Sequence, residues 1–141
     1  MRIAIINGPN LNLTGKREPQ VYGTQSLNDY FHVLATGYPY IDFTFYQSNV
    51  EGEIVNEIQR MGFDVDGIVI NAGAYSHYSI AIADALRSVT APAIEVHISN
   101  IFAREKERHQ SVIAPACKGM IAGLGLDGYR LAVEAIDSMV Y

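Results

Sequence analysis

Gly67-Ile68-Val69-Ile70-Asn71-Ala72-Gly73-Ala74-Tyr75-Ser76-His77 is the stretch from which the fold can be read. Its opening, from Gly67 to Ile70, is a continuous apolar run of the kind buried on both faces of a parallel sheet. The run then breaks abruptly into Asn, Gly and Ser, the residues of turns and caps. Working outward, Arg2 to Ile6 reads as a first strand, and Asp42-Phe43-Thr44-Phe45-Tyr46 as a second. Ala93 to Ile98 reads as a fourth and Gly119 to Ala122 as a fifth. Helical patterns lie between them. Ser26 caps one helix, with Asp29 three residues on. Asn49 to Met61 carries Val50, Ile54, Val55, Ile58 and Met61 at helical spacing. Ser76 to Val89 does so through Ile80, Ala83 and Leu86, and Asp127 to Met139 through Leu131, Ala135 and Ile136. The expected order is β-α repeated five times. That predicts an α/β, flavodoxin-like fold, a five-stranded parallel sheet with helices on both faces.

The chain of 141 residues is expected to form one domain over residues 1–141, and its 49% hydrophobic content is ordinary for a globular protein. No apolar run reaches the roughly 18 residues of a membrane span. Neither a membrane nor a leader segment is expected, and a cytoplasmic location follows. A formal charge of -5 disfavours nucleic acid as a partner. An anionic small substrate would then need a local arginine cluster. The single cysteine, Cys117, excludes an intramolecular disulfide framework.

Ligands of open α/β sheets bind beyond the carboxyl ends of the strands. There the sequence gathers Asn7-Gly8-Pro9-Asn10-Leu11-Asn12, Gln47-Ser48-Asn49, Asn71 to His77 and His97-Ile98-Ser99-Asn100. Uncharged hydrogen-bonding groups of this kind suit a polyhydroxylated small molecule. Glu95 and His97, two apart on a strand, share a face. A carboxylate beside an imidazole fixes its tautomer and favours the protonated ring, which makes His97 a candidate general acid. The long segment Pro9–Gln25 has the character of a lid. It holds Arg17 and Tyr22, and an arginine beside a tyrosine favours the phenolate. His77, placed at a helix start, is a candidate ligand group, whereas His32 and His109 stand in polar, exposed contexts. No metal-ligand spacing, P-loop or nucleophile elbow occurs. Gly123-Leu124-Gly125-Leu126-Asp127-Gly128 reads as a tight turn between strand and helix. None of the three lysines (Lys16, Lys106, Lys118) has the apolar setting of a Schiff-base lysine. On the residues alone, a non-catalytic binding module of flavodoxin-like fold and a structural assembly protein remain open alternatives to an enzyme.

Taken in order, Asn7-Gly8-Pro9-Asn10-Leu11-Asn12-Leu13, Arg17-Glu18-Pro19, Tyr22-Gly23, Gln47-Ser48-Asn49 with Glu51-Gly52-Glu53, Asn71 to His77, Glu95 to Asn100, Ala103-Arg104-Glu105 with Arg108-His109, and Gly119 to Gly128 closely resemble type II 3-dehydroquinate dehydratase. The resemblance covers nearly the whole chain. It implies a flavodoxin-like subunit that reversibly dehydrates 3-dehydroquinate to 3-dehydroshikimate, a step of the shikimate pathway toward aromatic amino acids. It implies no metal, no Schiff base and no cofactor. Carried over to this chain, Tyr22 removes a proton beside the ketone and Arg17 activates it. Asn10 helps hold the water that stabilises the enolate, and His97, oriented by Glu95, protonates the departing hydroxyl. Asn71, Ser99 and the Ile98 backbone hold the carboxylate. His77, Arg108 and Asp84 bind ring hydroxyls, Asp84 from an adjacent subunit. The implied assembly is a homo-oligomer, a dodecamer built from trimers. Three positions depart from the family pattern: Phe102 where histidine is common, Glu107 where an aromatic is frequent, and Val50 where the residue is usually polar. The segment through Tyr38-Pro39-Tyr40 is short and rich in tyrosine.

Overall fold

The computed structural model describes residues 1–16, 18, 20 and 24–140. Five strands, β1 (Arg2–Asn7), β2 (Asp42–Gln47), β3 (Gly67–Asn71), β4 (Ala93–His97) and β5 (Gly119–Ala122), form one sheet in the order β2-β1-β3-β4-β5. Every neighbouring pair is parallel. Among the described residues four α-helices accompany it: α1 (Leu27–Gly37), α2 (Glu51–Met61), α3 (Ile80–Ser88) and α4 (Asp127–Val140). Alternation along the strands divides the core into two layers. Ile3, Ile5, Val69, Ile94 and Val96 meet α1 and α4, whereas Ala4, Ile6, Ile68 and Ile70 meet α2 and α3. All five residues of β3 and of β4 are buried, as a strand covered on both faces requires. Each isoleucine taken fully out of water, such as Ile54, Ile58 or Ile82, contributes about 1.5–3 kcal/mol.

Several boundaries differ from the sequence reading. The segment between β4 and β5 carries no α-helix; it folds as three short 3-10 turns, Ile101–Ala103, Lys106–Arg108 and Ala114–Ala116. Its middle, Arg104-Glu105-Lys106-Glu107-Arg108-His109-Gln110, has no apolar face to bury, and Pro115 interrupts the stretch beyond it. The third helix begins at Ile80 rather than Ser76. Ser79 is its cap and accepts a hydrogen bond from the Ile82 backbone N–H at 3.1 Å, whereas Gly73–His77 forms a 3-10 turn. Ile80 is consequently 69% exposed, and the buried face is Ile82, Ala83, Ala85 and Leu86. Val50 lies outside α2 at its N-cap and is exposed. On α4 the buried stripe is Tyr129, Ala132, Val133 and Ile136, with Leu131 and Ala135 at its margin. Ser26 caps α1 as expected, accepting from the Asp29 N–H at 3.1 Å.

No helix among the described residues is long and apolar enough to cross a membrane. The strand order sets the position of the site. From β1 the chain moves outward to β2 on one side, and from β3 outward to β4 and β5 on the other. The segments leaving β1 and β3 therefore part, and a crevice opens between them at their carboxyl ends.

Candidate active site

At that crevice the pairing register aligns Gln47, Asn7 and Asn71 across the ends of three adjacent strands. The two asparagine amides are joined through Tyr129, and the glutamine is anchored separately. The Asn71 Nδ2 donates to the Tyr129 hydroxyl at 2.9 Å, and that hydroxyl donates to Asn7 Oδ1 at 2.6 Å. Gln47 Nε2 donates to the Gly8 carbonyl at 3.0 Å and to Asn49 Oδ1 at 3.1 Å. Asn49 Oδ1 also accepts from the Asn10 backbone N–H at 3.0 Å. Tyr129 is completely buried, and that burial pushes its phenol well above the usual range. It serves as a neutral relay that satisfies both asparagines.

The cleft above these amides is lined by Pro9, Asn10 and Leu11 after β1, and by Asn71, Gly73, Ala74 and His77 at and after β3. His97, Ile98, Ser99 and Ile101 at and after β4, with Arg104 and Arg108 from the following turns, complete it. The structure thus brings together seven of the expected site residues: Asn10, Asn71, His77, His97, Ile98, Ser99 and Arg108. An eighth, Glu95, stands directly behind His97. Asn10 adopts a left-handed conformation, φ 69°, which turns the chain over the mouth of the cleft. Arg17 and Tyr22 lie outside the described residues. Asp84 is not in this cleft: it stands on the outer face of α3, its side chain 70% exposed and 3.5 Å from the Arg87 guanidinium.

His97 and Glu95 are both buried, and His97 Nε2 meets Glu95 Oε2 at 2.5 Å. Nε2 so engaged leaves Nδ1 as the ring nitrogen available to a bound molecule. The His77 ring is 6.0 Å away and inclined by 26°, and its Nδ1 donates to the Gln110 carbonyl at 2.7 Å. His77 stands on a 3-10 turn, not at a helix start, so the backbone carbonyl rather than a helix terminus sets its tautomer. Arg104 Nη1 donates to Ser99 Oγ at 3.4 Å, and Arg108 Nε donates to Glu105 Oε1 at 2.5 Å. The guanidinium of Arg108 holds the Glu105 carboxyl below its ordinary range. These two arginines supply the local positive charge that a chain of charge -5 needs in order to bind an anion.

Ser111 and Tyr129 escaped the sequence reading. The Ser111 hydroxyl reaches Glu95 Oε2 at 2.7 Å and Oε1 at 3.0 Å. No local spacing connects either residue to its partners, so the sequence carries no signal for them. Burial and the Glu95 charge push the thiol of the partly buried Cys117 up to about 12, which disfavours its thiolate. His32 and His109 are exposed, as expected, and Phe102 and Glu107 are exposed outside the cleft lining. Among the described residues no group of three or more His, Cys, Asp or Glu is placed to hold a metal ion.

Comparison with known proteins agrees with this geometry. The family model described as Dehydroquinase class II matches residues 1–137. The 3-dehydroquinate dehydratase of Caldicellulosiruptor bescii is 50% identical over 142 residues, covering 99% of this chain and 98% of that one. That of Bacillus subtilis is 52% identical over 136 residues, covering 95% and 92%. The crystal structure of type II dehydroquinase from Butyrivibrio crossotus superposes with a TM-score of 0.94 at 48% identity, covering 97% of each chain. With the fold, the switch-point cleft and matches over nearly its full length in agreement, the chain belongs to the class II dehydroquinase family.

Proposed function

We propose that this type II 3-dehydroquinate dehydratase works by the division of labour the cleft suggests, with His97 as the general acid and Tyr22 as the base. The observation that carries the reading is the buried Glu95–His97 contact at the floor of the cleft. Glu95 engages Nε2 and fixes the ring, so a proton on Nδ1 is the one delivered to the departing hydroxyl. Tyr22, activated by Arg17, takes the proton beside the ketone, and the enolate that forms is stabilised by water held with Asn10. This assignment of Tyr22 and Arg17 rests on their match to the family pattern. The substrate carboxylate is held by Asn71, Ser99 and the Ile98 backbone. His77 and Arg108 bind ring hydroxyls, Arg108 exchanging its contact with Glu105 for the substrate. The working assembly is a cytoplasmic dodecamer built from trimers, in which Asp84 of one subunit reaches the cleft of another. Its exposure on α3 is compatible with that role.

The conjugated enone product absorbs in the ultraviolet, so dehydration is read directly. Tyr22→Phe loses only a hydroxyl; it is expected to abolish most turnover while retaining fold and ligand affinity. His97→Ala is expected to slow dehydration by about 10²–10⁴-fold, the range of general acid catalysis, and to slow solvent exchange of the carbon-bound proton far less. Near-normal turnover in Tyr22→Phe removes the base assignment, and equal losses of exchange and dehydration in His97→Ala remove the acid assignment.

A further inference from the structure

The segment Gln110-Ser111-Val112 is tied to His77 directly and to His97 through Glu95. The Gln110 carbonyl accepts from His77 Nδ1 at 2.7 Å, and the Val112 N–H donates to the Ser76 carbonyl at 2.8 Å. Between them the Ser111 hydroxyl donates to the Glu95 carboxylate, 2.7 Å from Oε2 and 3.0 Å from Oε1. The hydroxyl oxygen is itself held, because it accepts from the Ala114 N–H at 3.1 Å. Glu95 is wholly buried, and its Oε2 is shared between Ser111 and His97. A buried carboxylate with a single donor is free to rotate about its last torsion. A second donor, whose one proton is shared between Oε2 and Oε1, resists that rotation and so holds the imidazole paired with Oε2.

We infer that Ser111 is a positioning residue of the reaction, the group that fixes the Glu95 carboxylate so that His97 presents Nδ1 to the departing hydroxyl. Ser111 does not itself line the cleft and acts through Glu95. The inference rests on the reading of His97 as general acid. It gives the charged segment between β4 and β5 a function beyond carrying Arg104 and Arg108: it is the clamp that sets the geometry of the acid.

The test is a double-mutant cycle on the intact enzyme, using Ser111→Ala, Ser111→Thr, His97→Ala and the Ser111→Ala/His97→Ala combination. Ser111→Ala is expected to lower kcat about tenfold, a fraction of the ~10²–10⁴-fold that a general acid supplies, with KM little changed. Dehydration should fall more than exchange of the carbon-bound proton. Ser111→Thr keeps the hydroxyl and should restore most of the loss. In the His97→Ala background, removing the Ser111 hydroxyl should cost nothing more. If Ser111→Ala keeps wild-type kcat, or costs the same factor with and without His97, the positioning role is wrong while the acid assignment stands. If His97→Ala leaves dehydration and exchange in their wild-type ratio, the acid assignment fails and the positioning role with it. Should Ser111→Ala not fold, Ser111→Cys, a weak donor of similar shape, carries the same comparison.

Discussion

Single atoms decide much of this site. Gly8 is the clearest case. Its backbone N–H donates to the Asn71 carbonyl at 2.7 Å, and a Cβ at Gly8 would lie 2.4 Å from the Ala72 carbonyl oxygen. The requirement is one of space rather than of unusual torsion, because at the strand ends, before the two segments part around the cleft, Gly8 is still packed against the Ala72 backbone. The obstructing atoms are backbone and cannot move aside like a rotamer. Gly8→Ala is therefore expected to cost about 1–3 kcal/mol in urea unfolding, as overpacking does, and to lower kcat/KM by displacing Asn10 and Gly73. A variant with unchanged urea midpoint and kcat/KM would show that the crevice widens freely. The same economy governs Asn71, whose two amide ends serve Tyr129 and the Gly73 N–H at once and leave the side chain one orientation.

At the scale of elements, the tyrosine-rich segment after α1 is a strap between two helices on one face of the sheet. The Tyr38 hydroxyl donates to Glu134 Oε1 at 2.6 Å and the Tyr40 hydroxyl to Asp137 Oδ2 at 3.0 Å, so the C-terminal end of α1 is tied to α4. The two rings meet edge to face with centroids 6.2 Å apart. Burial, reinforced by Glu134, pushes the Tyr38 phenol up to about 12. An acid raised in the folded state stabilises the fold fully below its unfolded value near 10, and that contribution is lost as pH rises through about 12. Tyr38→Phe should lower stability by about 1 kcal/mol at neutral pH, the net worth of one hydrogen bond. The gap in Tm between wild type and variant should then narrow steadily between these two pH values. A gap that stays constant to the top of that range would show that burial and Glu134 together do not raise the Tyr38 phenol in solution. The segment between β4 and β5 makes the complementary point. Without an apolar face it cannot be a helix, and as three short turns it can bend Arg104, Arg108 and Ser111 to their separate partners.

For the whole molecule, the exposed face of α3 is the place to test assembly. Asp84 and Arg87 lie there in a solvent-exposed ion pair, which contributes little in isolation. The proposal that Asp84 completes a neighbour's cleft predicts complementation. Asp84→Ala chains are dissociated, mixed with Tyr22→Phe chains and reassembled. Some mixed sites then contain neither lesion, and activity should rise above that of either parent. No recovery, with mixing proven by differential labelling, would confine the site to one subunit. The charge distribution works at the same scale: a chain of charge -5 gathers two arginines at the end of its sheet where an anion is expected.

Much of this was already decided by the order of residues. Runs such as Gly67–Ile70, and the helical spacing of Ile54, Ile58 and Met61, specify strand and helix because burial follows the local period of the backbone. The strand–helix order then leaves few topologies, which is why the rim of Asn, Gly and Ser was legible as a site. Glu95 and His97 were legible as a pair because two residues apart on a strand is a fixed distance. Tertiary structure alone decided the rest. Ser111 lies 16 positions from Glu95, Tyr129 lies 58 from Asn71 and 122 from Asn7, and no local period encodes such separations. It also decided where α3 begins: Ser76 lies within the 3-10 turn Gly73–His77, and Ser79 meets the first turn of the helix as its cap. A residue's neighbours along the chain determine its conformation, but the partners that satisfy a buried polar group are chosen by how the layers pack.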